Sequence, residues 1–212
     1  MCDQIEQMLK DTWGKFCDYY DTKAPQYRKS WPLDPKESVK DLIWICWNEY
    51  DLMFHVGRFF NDLLSEKKEE RFSNIEIHFE KNINFTNFKG YKLENQLENL
   101  NKQLNKWPKV DMIIVQEDSN ASFLLCAEAK YFHSKVRWTT TPIALINADI
   151  AKLKAIRDLG IAKRVVFILF DDYYYCHDKE TANAIRQRLN EIERQDGITV
   201  LFHTSEAKLR EI

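Results

Sequence analysis

The stretch Phe123-Leu124-Leu125-Cys126-Ala127-Glu128-Ala129-Lys130-Tyr131-Phe132 joins an apolar run to two opposite charges. Apolar residues on both faces from Phe123 to Ala127 predict a central strand that is covered on both sides of a sheet. Alternate residues of a strand share a face, so Glu128 and Lys130 project together while Ala129 points the other way. An unpaired charge is costly to bury, so both side chains must have partners at this point of the sheet.

A second apolar strand is predicted at 110–116, where Asp111 is the only charged residue. The polar turn at 117–120 predicts that this strand and the strand at 123–132 form a hairpin with Asp111 beside Glu128. Two carboxylates and an amine in an apolar sheet indicate a site for Mg²⁺ or Mn²⁺, which prefer hard oxygen ligands, with Lys130 orienting or helping to deprotonate a water molecule. The alternative is an ion pair of Lys130 with Glu128 or Asp111 that satisfies itself at the end of the sheet.

Periodicity along the rest of the chain predicts helices mixed with strands. The predicted helices are 3–20, 34–64 with a break or bend near Gly57, 92–105, 142–159 and 179–195, and the predicted strands are 75–85, 110–116, 123–132, 164–170 and 198–203. This order favours an α/β three-layer sandwich with a central mixed sheet flanked by helices. Residues 1–33 are interpreted as an N-terminal helical extension, with a connector at 23–33, and residues 34–212 as one domain. Asp34-Pro35 and Thr141-Pro142 are typical helix starts, and Gly160 is a typical stop.

The composition excludes several classes of protein. The 212 residues include 31 basic and 33 acidic side chains and only five glycines, never closer than 33 positions apart. Glycine-rich phosphate loops and the G-x-S-x-G elbow need clustered glycines, so dinucleotide-binding, P-loop and serine-hydrolase chemistry are excluded. Five scattered cysteines predict reduced, packed thiols instead of a zinc knuckle or a disulfide framework. No membrane span or signal peptide is apparent in the sequence, so we expect a cytoplasmic protein.

Asp111, followed after a spacing of 17 by Glu128-Ala129-Lys130, resembles the D…(D/E)-x-K motif of the PD-(D/E)XK nuclease superfamily. That family has the restriction-endonuclease-like fold, and the predicted elements from 34 to 170 resemble its order, with 92–105 as an inserted helix. Val110 stands where the motif has proline. The resemblance implies that Asp111, Glu128 and the Ala129 carbonyl bind Mg²⁺ (or Mn²⁺). It also implies that Lys130 serves the nucleophilic water and that Glu49, on the first core helix, is an accessory ligand.

Charge is distributed unevenly along the chain. Residues 81–164 hold 14 Lys/Arg and 8 Asp/Glu, whereas the whole chain has a net charge of −2. Local positive charge is what phosphate contacts require, although an ordinary solvated surface would give the same pattern. The side chains predicted to contact nucleic acid are Lys109, Lys135, Arg137, Trp138 and Lys152. Asp171 and Asp172 are interpreted as a solvated strand end.

The function expected from these features is a metal-dependent deoxyribonuclease that hydrolyses phosphodiester bonds with a metal-activated water. Its partner would be nucleic acid, with DNA expected first, and no membrane; a homodimer would suit double-strand cutting. One alternative is a catalytically inactive domain of the same fold that binds nucleic acid or protein. Another is an unrelated α/β enzyme that acts on a small phosphorylated molecule in a closed pocket.

Overall fold

A computed structural model describes residues 1–28, 46, 48–67, 72–116, 122–132 and 140–204, with the side chains of all but 24–28 and 176. The helix start predicted at Asp34-Pro35, and everything predicted for 29–45, lie outside the described residues. The helices are α1 (Cys2–Arg28), α2 (Glu49–Lys67), α3 (Glu94–Leu104), α4 (Pro142–Asp158), α5 (Tyr174–His177) and α6 (Lys179–Glu191), which a π-helical turn (Ile192–Asp196) extends. The strands are β1 (Ile75–Asn82), β2 (Lys109–Gln116), β3 (Leu125–Phe132), β4 (Val165–Asp171) and β5 (Thr199–Thr204).

The five strands form one mixed sheet in the order β1-β2-β3-β4-β5. Strands β1, β2 and β3 are antiparallel neighbours, whereas β4 runs parallel to β3 and β5 parallel to β4. The change of direction follows from the connections, because a parallel neighbour requires a crossover, which here contains α4 or α6. The predicted α/β class and the mixed sheet are therefore confirmed.

Helices cover both faces of the sheet, so the core has two halves. One half lies between the sheet and α1 with α2, and is built around Ile5, Leu9, Phe16, Leu52, Val56, Phe60, Ile114, Ala127 and Ile168. The other lies between the sheet and α3, α4 and α6, and is built around Leu97, Leu100, Ile150, Leu153, Ile185, Ile113, Cys126 and Phe167. Alternation along β3 sends Cys126 to the α4 face and Ala127 to the α2 face, as a strand covered on both sides requires.

Helix α2 continues through Gly57 without a break. A Cβ at Gly57 would overlap the aromatic ring of Phe79 on β1. The glycine therefore allows helix and edge strand to approach closely, which sequence periodicity does not reveal. Helix α1 also differs from its prediction, since it continues to Arg28 past Pro25. A proline near the end of a helix removes only one backbone hydrogen bond.

The start and stop predicted for α4 are confirmed. The Thr141 side chain accepts a hydrogen bond from the Ala144 amide at 3.1 Å, and Pro142 is the first helical residue. Gly160 has φ +69°, and the amide of Ile161 donates back to the Ile156 carbonyl at 3.0 Å, which closes the helix. These two caps fix which residues of α4 face the sheet.

The interpretation of Asp171 and Asp172 as a solvated strand end is wrong, because both are buried. Asp171 accepts hydrogen bonds from the amides of Tyr173, Tyr174 and Tyr175, at 2.7–3.1 Å, and so begins the short helix α5. The Asp172 carboxylate lies on the α1 face of the sheet, where it accepts a hydrogen bond from the Tyr20 hydroxyl at 3.0 Å. Both carboxylates are thus structural groups.

Among the described residues, Cys17, Cys46 and Cys126 are buried free thiols and Cys2 is a partly exposed one, in line with the prediction of reduced cysteines. Within the same part of the chain, every helix is too short or too polar to cross a membrane.

Candidate functional site

Asp111 and Glu128 lie opposite each other at the point where β2 and β3 stop pairing. The last pair of the antiparallel register is Met112 with Ala127, and the two acids are the next residues on each strand. Beyond that pair, Asp111 Oδ2 accepts a hydrogen bond from the Ala129 amide at 2.7 Å. The carboxylate therefore replaces a ladder bond, which holds it beside β3, as the hairpin prediction implied.

Lys130 is held between two helices on opposite sides of the sheet's end. Its ammonium lies 2.8 Å from Asp149 Oδ2 on α4 and 3.3 Å from Glu49 Oε1 at the start of α2. Neither ion pair considered from the sequence, with Glu128 or with Asp111, is the one that this lysine forms. The side chain also donates to the Ala129 carbonyl at 3.3 Å.

Glu49 reaches Lys130 because α2 begins at this position. Asn48 caps the helix, since its side chain accepts a hydrogen bond from the Asp51 amide at 3.0 Å. Glu49 and Asp51 then stand in the first turn, where the helix dipole favours negative charge. A carboxylate at a helix start can face the sheet's end while remaining partly solvated, and Glu49 is 36% exposed.

Lys152 neutralises Glu128 from the other side of the cluster. Its ammonium lies 2.5 Å from Glu128 Oε2, 3.4 Å from Asp149 Oδ1, and 2.9 Å from the Lys109 carbonyl. Asp149 and Lys152 are three positions apart on α4, so they share a face of that helix. The sequence predicted Lys152 as a phosphate contact, whereas in the structure it is engaged by carboxylates.

Burial dominates the electrostatics of the two strand carboxylates. Glu128 is only 1% exposed, and burial followed by the neighbouring charge of Asp111 raises its pKa well above the usual range, although Lys152 opposes that rise. Burial also raises the pKa of Asp111 to about 6, against the hydrogen bond from Ala129 and the charge of Lys130. Both acids therefore ionise less readily than ordinary carboxylates.

The two lysines stay protonated in the same surroundings. Burial alone would lower the pKa of Lys130, but the charges of Asp149 and Glu49 outweigh it, and the pKa rises. The pKa of Lys152 rises for the same reason, with Glu128 and Asp149 as the opposing charges. In these surroundings Lys130 is therefore a protonated hydrogen-bond donor.

The oxygen donors that a divalent cation needs are present, although they do not surround one point. In the described ranges, no group of three or more His, Cys, Asp or Glu side chains is arranged to hold a metal ion. Glu128 Oε1, however, is buried without a hydrogen-bond partner, which is unusual for a carboxylate oxygen. The ammonium of Lys152 is itself a cation that is surrounded by oxygen atoms, as a bound metal ion would be. The donor chemistry fits Mg²⁺ or Mn²⁺ once Lys152 leaves Glu128.

Of the side chains predicted to contact nucleic acid, Lys109 and Lys152 are described, and Lys135, Arg137 and Trp138 lie outside the described residues. Lys109 is half-exposed and forms an ion pair with Glu80 on β1. Its ammonium also lies 5.4 Å from the centre of the Tyr50 ring. Lys109 thus lies next to the cluster, with its carbonyl on Lys152 and its half-exposed side chain beside Tyr50.

Asp149 and Glu80 were not among the predicted site residues. A signal for Asp149 exists in the sequence, since it interrupts the apolar stripe of α4 that Ile146, Ile150 and Leu153 form. Glu80 gives no comparable signal. It takes a left-handed φ of +54° opposite Asp111 and is skipped in the β1–β2 register, so it is recognisable only from the backbone.

Comparison with protein-family models, with curated proteins and with solved structures gives no significant match to this chain.

Proposed function

We propose that this chain is a metal-dependent nuclease of the PD-(D/E)XK type, which hydrolyses phosphodiester bonds of nucleic acid, with DNA as the expected substrate. The observation that carries the proposal is the juxtaposition of Asp111 and Glu128 on neighbouring strands, with the Lys130 ammonium held between Asp149 and Glu49 at the same end of the sheet. Two carboxylates that repel each other and a fixed ammonium form a site for a cation and a phosphate, and such an arrangement has no evident value for stability.

The topology supports the same proposal. An antiparallel meander of β1, β2 and β3 is followed by α4 and then by β4, parallel to β3. This is the element order that the resemblance to the restriction-endonuclease-like fold implies. The residues of the motif fall at the end of β2 and β3, between α2 and α4, where the side chains of Glu49 and Lys109 are partly exposed.

In the proposed site Asp111, Glu128 and the Ala129 carbonyl would hold Mg²⁺ or Mn²⁺, with Glu49 as an accessory ligand. The ion would supply Lewis-acid chemistry at the phosphate and lower the pKa of a water molecule. Lys130 keeps its proton, so we assign it the orientation of the attacking water and the stabilisation of negative charge on the phosphate. Asp149 positions Lys130 through their ion pair.

The proposal is tested with supercoiled plasmid, linear duplex, single-stranded DNA and RNA, each with Mg²⁺ or Mn²⁺ and each with EDTA. We expect metal-dependent cleavage of at least one substrate. Lys130→Met retains the length of the side chain but not its charge, and should reduce the rate by at least about 100-fold.

Lys154→Met is the matched control on α4, because the ammonium of Lys154 pairs with Asp196 at 2.7 Å instead of with the cluster. Circular dichroism and thermal unfolding establish that each variant is folded. A folded Lys130→Met protein that cleaves as fast as the wild type would disprove the assignment.

A non-catalytic domain that binds nucleic acid or protein is the second candidate. The observation in its favour is that Lys152 neutralises Glu128 and that no metal-ion group is assembled in the described part of the chain. Titration with Mn²⁺ separates the two functions. A nuclease should bind Mn²⁺ through Asp111 and lose that binding in Asp111→Asn, whereas a non-catalytic domain should bind no ion in either form.

A further inference from the structure

Exposed aromatic side chains lie on α2 and along the edge strand β1 or just after it. In the described part of the chain, four large aromatic residues are exposed, namely Tyr50, Phe54, Phe79 and Phe85, and the only other exposed large hydrophobic residue is Met1. Two lie on α2 and two on or just after β1. Tyr50 directly follows Glu49 and is 57% exposed. Scattered surface aromatics need no explanation, but a group at one edge of the sheet indicates a binding surface.

Direct contacts connect part of this group to the site. The Lys109 ammonium lies 5.4 Å from the centre of the Tyr50 ring and 3.5 Å from its hydroxyl. Two residues before Lys109, Trp107 packs edge-on against Phe85 with ring centres 5.1 Å apart. We call Tyr50, Lys109, Trp107 and Phe85 the aromatic row. It starts next to Glu49 and leads away from the site.

The aromatic row ends at a cavity of about 710 Å³. Its walls combine the aromatic side chains of Phe85, Phe88 and Tyr91 with polar and charged groups, which are Thr86, Lys89, Glu94, Asn95 and Glu98. That volume is within the range of sites for small organic ligands. A lining of aromatic side chains beside hydrogen-bonding groups suits a nucleobase, which has an aromatic face and a polar edge.

The segment that carries most of the aromatic row is basic. Residues 81–109 contain six lysines and two glutamates, a net charge of +4 in a chain whose net charge is −2. Phosphates are attracted to such a local excess of positive charge. Aromatic faces together with lysines therefore favour a strand of nucleic acid over an apolar peptide as the occupant.

We propose that the aromatic row binds unpaired nucleotides, with bases stacked on Tyr50, Trp107 and Phe85 and one base in the adjoining cavity. This inference rests on the proposed function and deepens it, because it names single-stranded nucleic acid, or the frayed end of a duplex, as the substrate class. Bases inside a duplex are stacked on one another and cannot lie on a protein ring without leaving the helix.

The test measures binding without catalysis. Fluorescence anisotropy in EDTA measures the affinity of the full chain for a labelled oligothymidylate of about 16 nucleotides. The same measurement with a blunt duplex of equal length gives the comparison. We expect tighter binding of the single strand and a loss of affinity of about tenfold in either Tyr50→Ala or Phe85→Ala. Both side chains are exposed, so neither variant should unfold.

Tyr175→Ala is the matched control, because it also removes an aromatic ring that lies beside a basic side chain. Arg186 lies 4.9 Å from the centre of the Tyr175 ring, and the pair is on the side of the sheet beyond β4. It should bind like the wild type. Equal affinity for duplex and single strand, or unchanged affinity in Tyr50→Ala and Phe85→Ala, would overturn the inference even if the protein is a nuclease. Aromatic-dependent binding of the single strand without any cleavage would support the inference and reject the nuclease.

Discussion

Glu128 and Asp172 are both buried carboxylates near the ends of neighbouring strands, but they face opposite layers of the molecule. Asp172 lies on the α1 face, where hydroxyl groups of Tyr20 and Tyr131 point to its Oδ2 at 3.0 and 3.5 Å. Glu128 lies on the α4 face, with one oxygen on the Lys152 ammonium and the other without a partner. The hydroxyl groups give Asp172 hydrogen-bond donors without adding charge. Glu128 has one oxygen on a lysine and one oxygen without a partner, and that oxygen could accept a second cation.

The comparison teaches that burial alone does not distinguish a structural acid from the acid of the candidate site. The partners do. Asp172 ties α1 to the end of the sheet, because Tyr20 belongs to α1 and Tyr131 to β3. Glu128 joins no helix to the sheet except through the Lys152 ion pair, which costs desolvation on both sides. The two acids should therefore respond in opposite ways to neutral substitutions.

The largest effect is expected on stability. Asp172→Ala removes the buried carboxylate to which the Tyr20 hydroxyl donates at 3.0 Å and should lower the free energy of unfolding by about 1–3 kcal/mol. Glu128→Gln removes a buried charge at nearly constant volume and should leave the free energy of unfolding unchanged or raised. Urea denaturation of both variants measures the difference. The comparison would fail if Glu128→Gln cost more stability than Asp172→Ala.

An intermediate effect is expected on metal affinity. In the proposed metal site Lys152 would compete with a divalent cation for Glu128, so Lys152→Met should raise the affinity for Mn²⁺ by about tenfold. Isothermal titration calorimetry measures this without any turnover. Lys154→Met, on the same helix but paired with Asp196, should leave the affinity unchanged. Equal affinities in wild type and Lys152→Met would show that Lys152 does not occupy the cation position.

The smallest effect is expected in the pH dependence of stability. The pKa of Asp111 is raised to about 6 in the folded protein, above its ordinary value of 3.8, so the folded state binds this proton more tightly than the unfolded state. Ionised Asp111 therefore lowers stability above about pH 6, and that cost disappears as the pH falls towards 3.8. Asp111→Asn should raise Tm at about pH 8 and match the wild type near pH 4. Parallel Tm curves for the two proteins would contradict the raised pKa.

Local sequence signals were sufficient for most of the secondary structure. The Thr141-Pro142 start and the Gly160 stop of α4 depend on neighbouring residues only, as does the alternation that predicts β1. The hairpin prediction also placed Asp111 beside Glu128, because a short turn leaves few registers that keep both apolar faces buried. These features are fixed by contacts between residues close in sequence.

Contacts between distant residues decided the rest. Gly57 is a glycine because Phe79 packs on it, and Asp172 is buried because Tyr20, 152 positions away, donates to it. Lys130 is 81 residues from Glu49, so its ion pairs, and the protonated state that they maintain, follow only from the packing of α2 and α4 against the sheet. The sequence by itself determined the α/β class and the three charges of the motif. The tertiary structure decided their partners, because the free energy of a buried charge depends on every group around it.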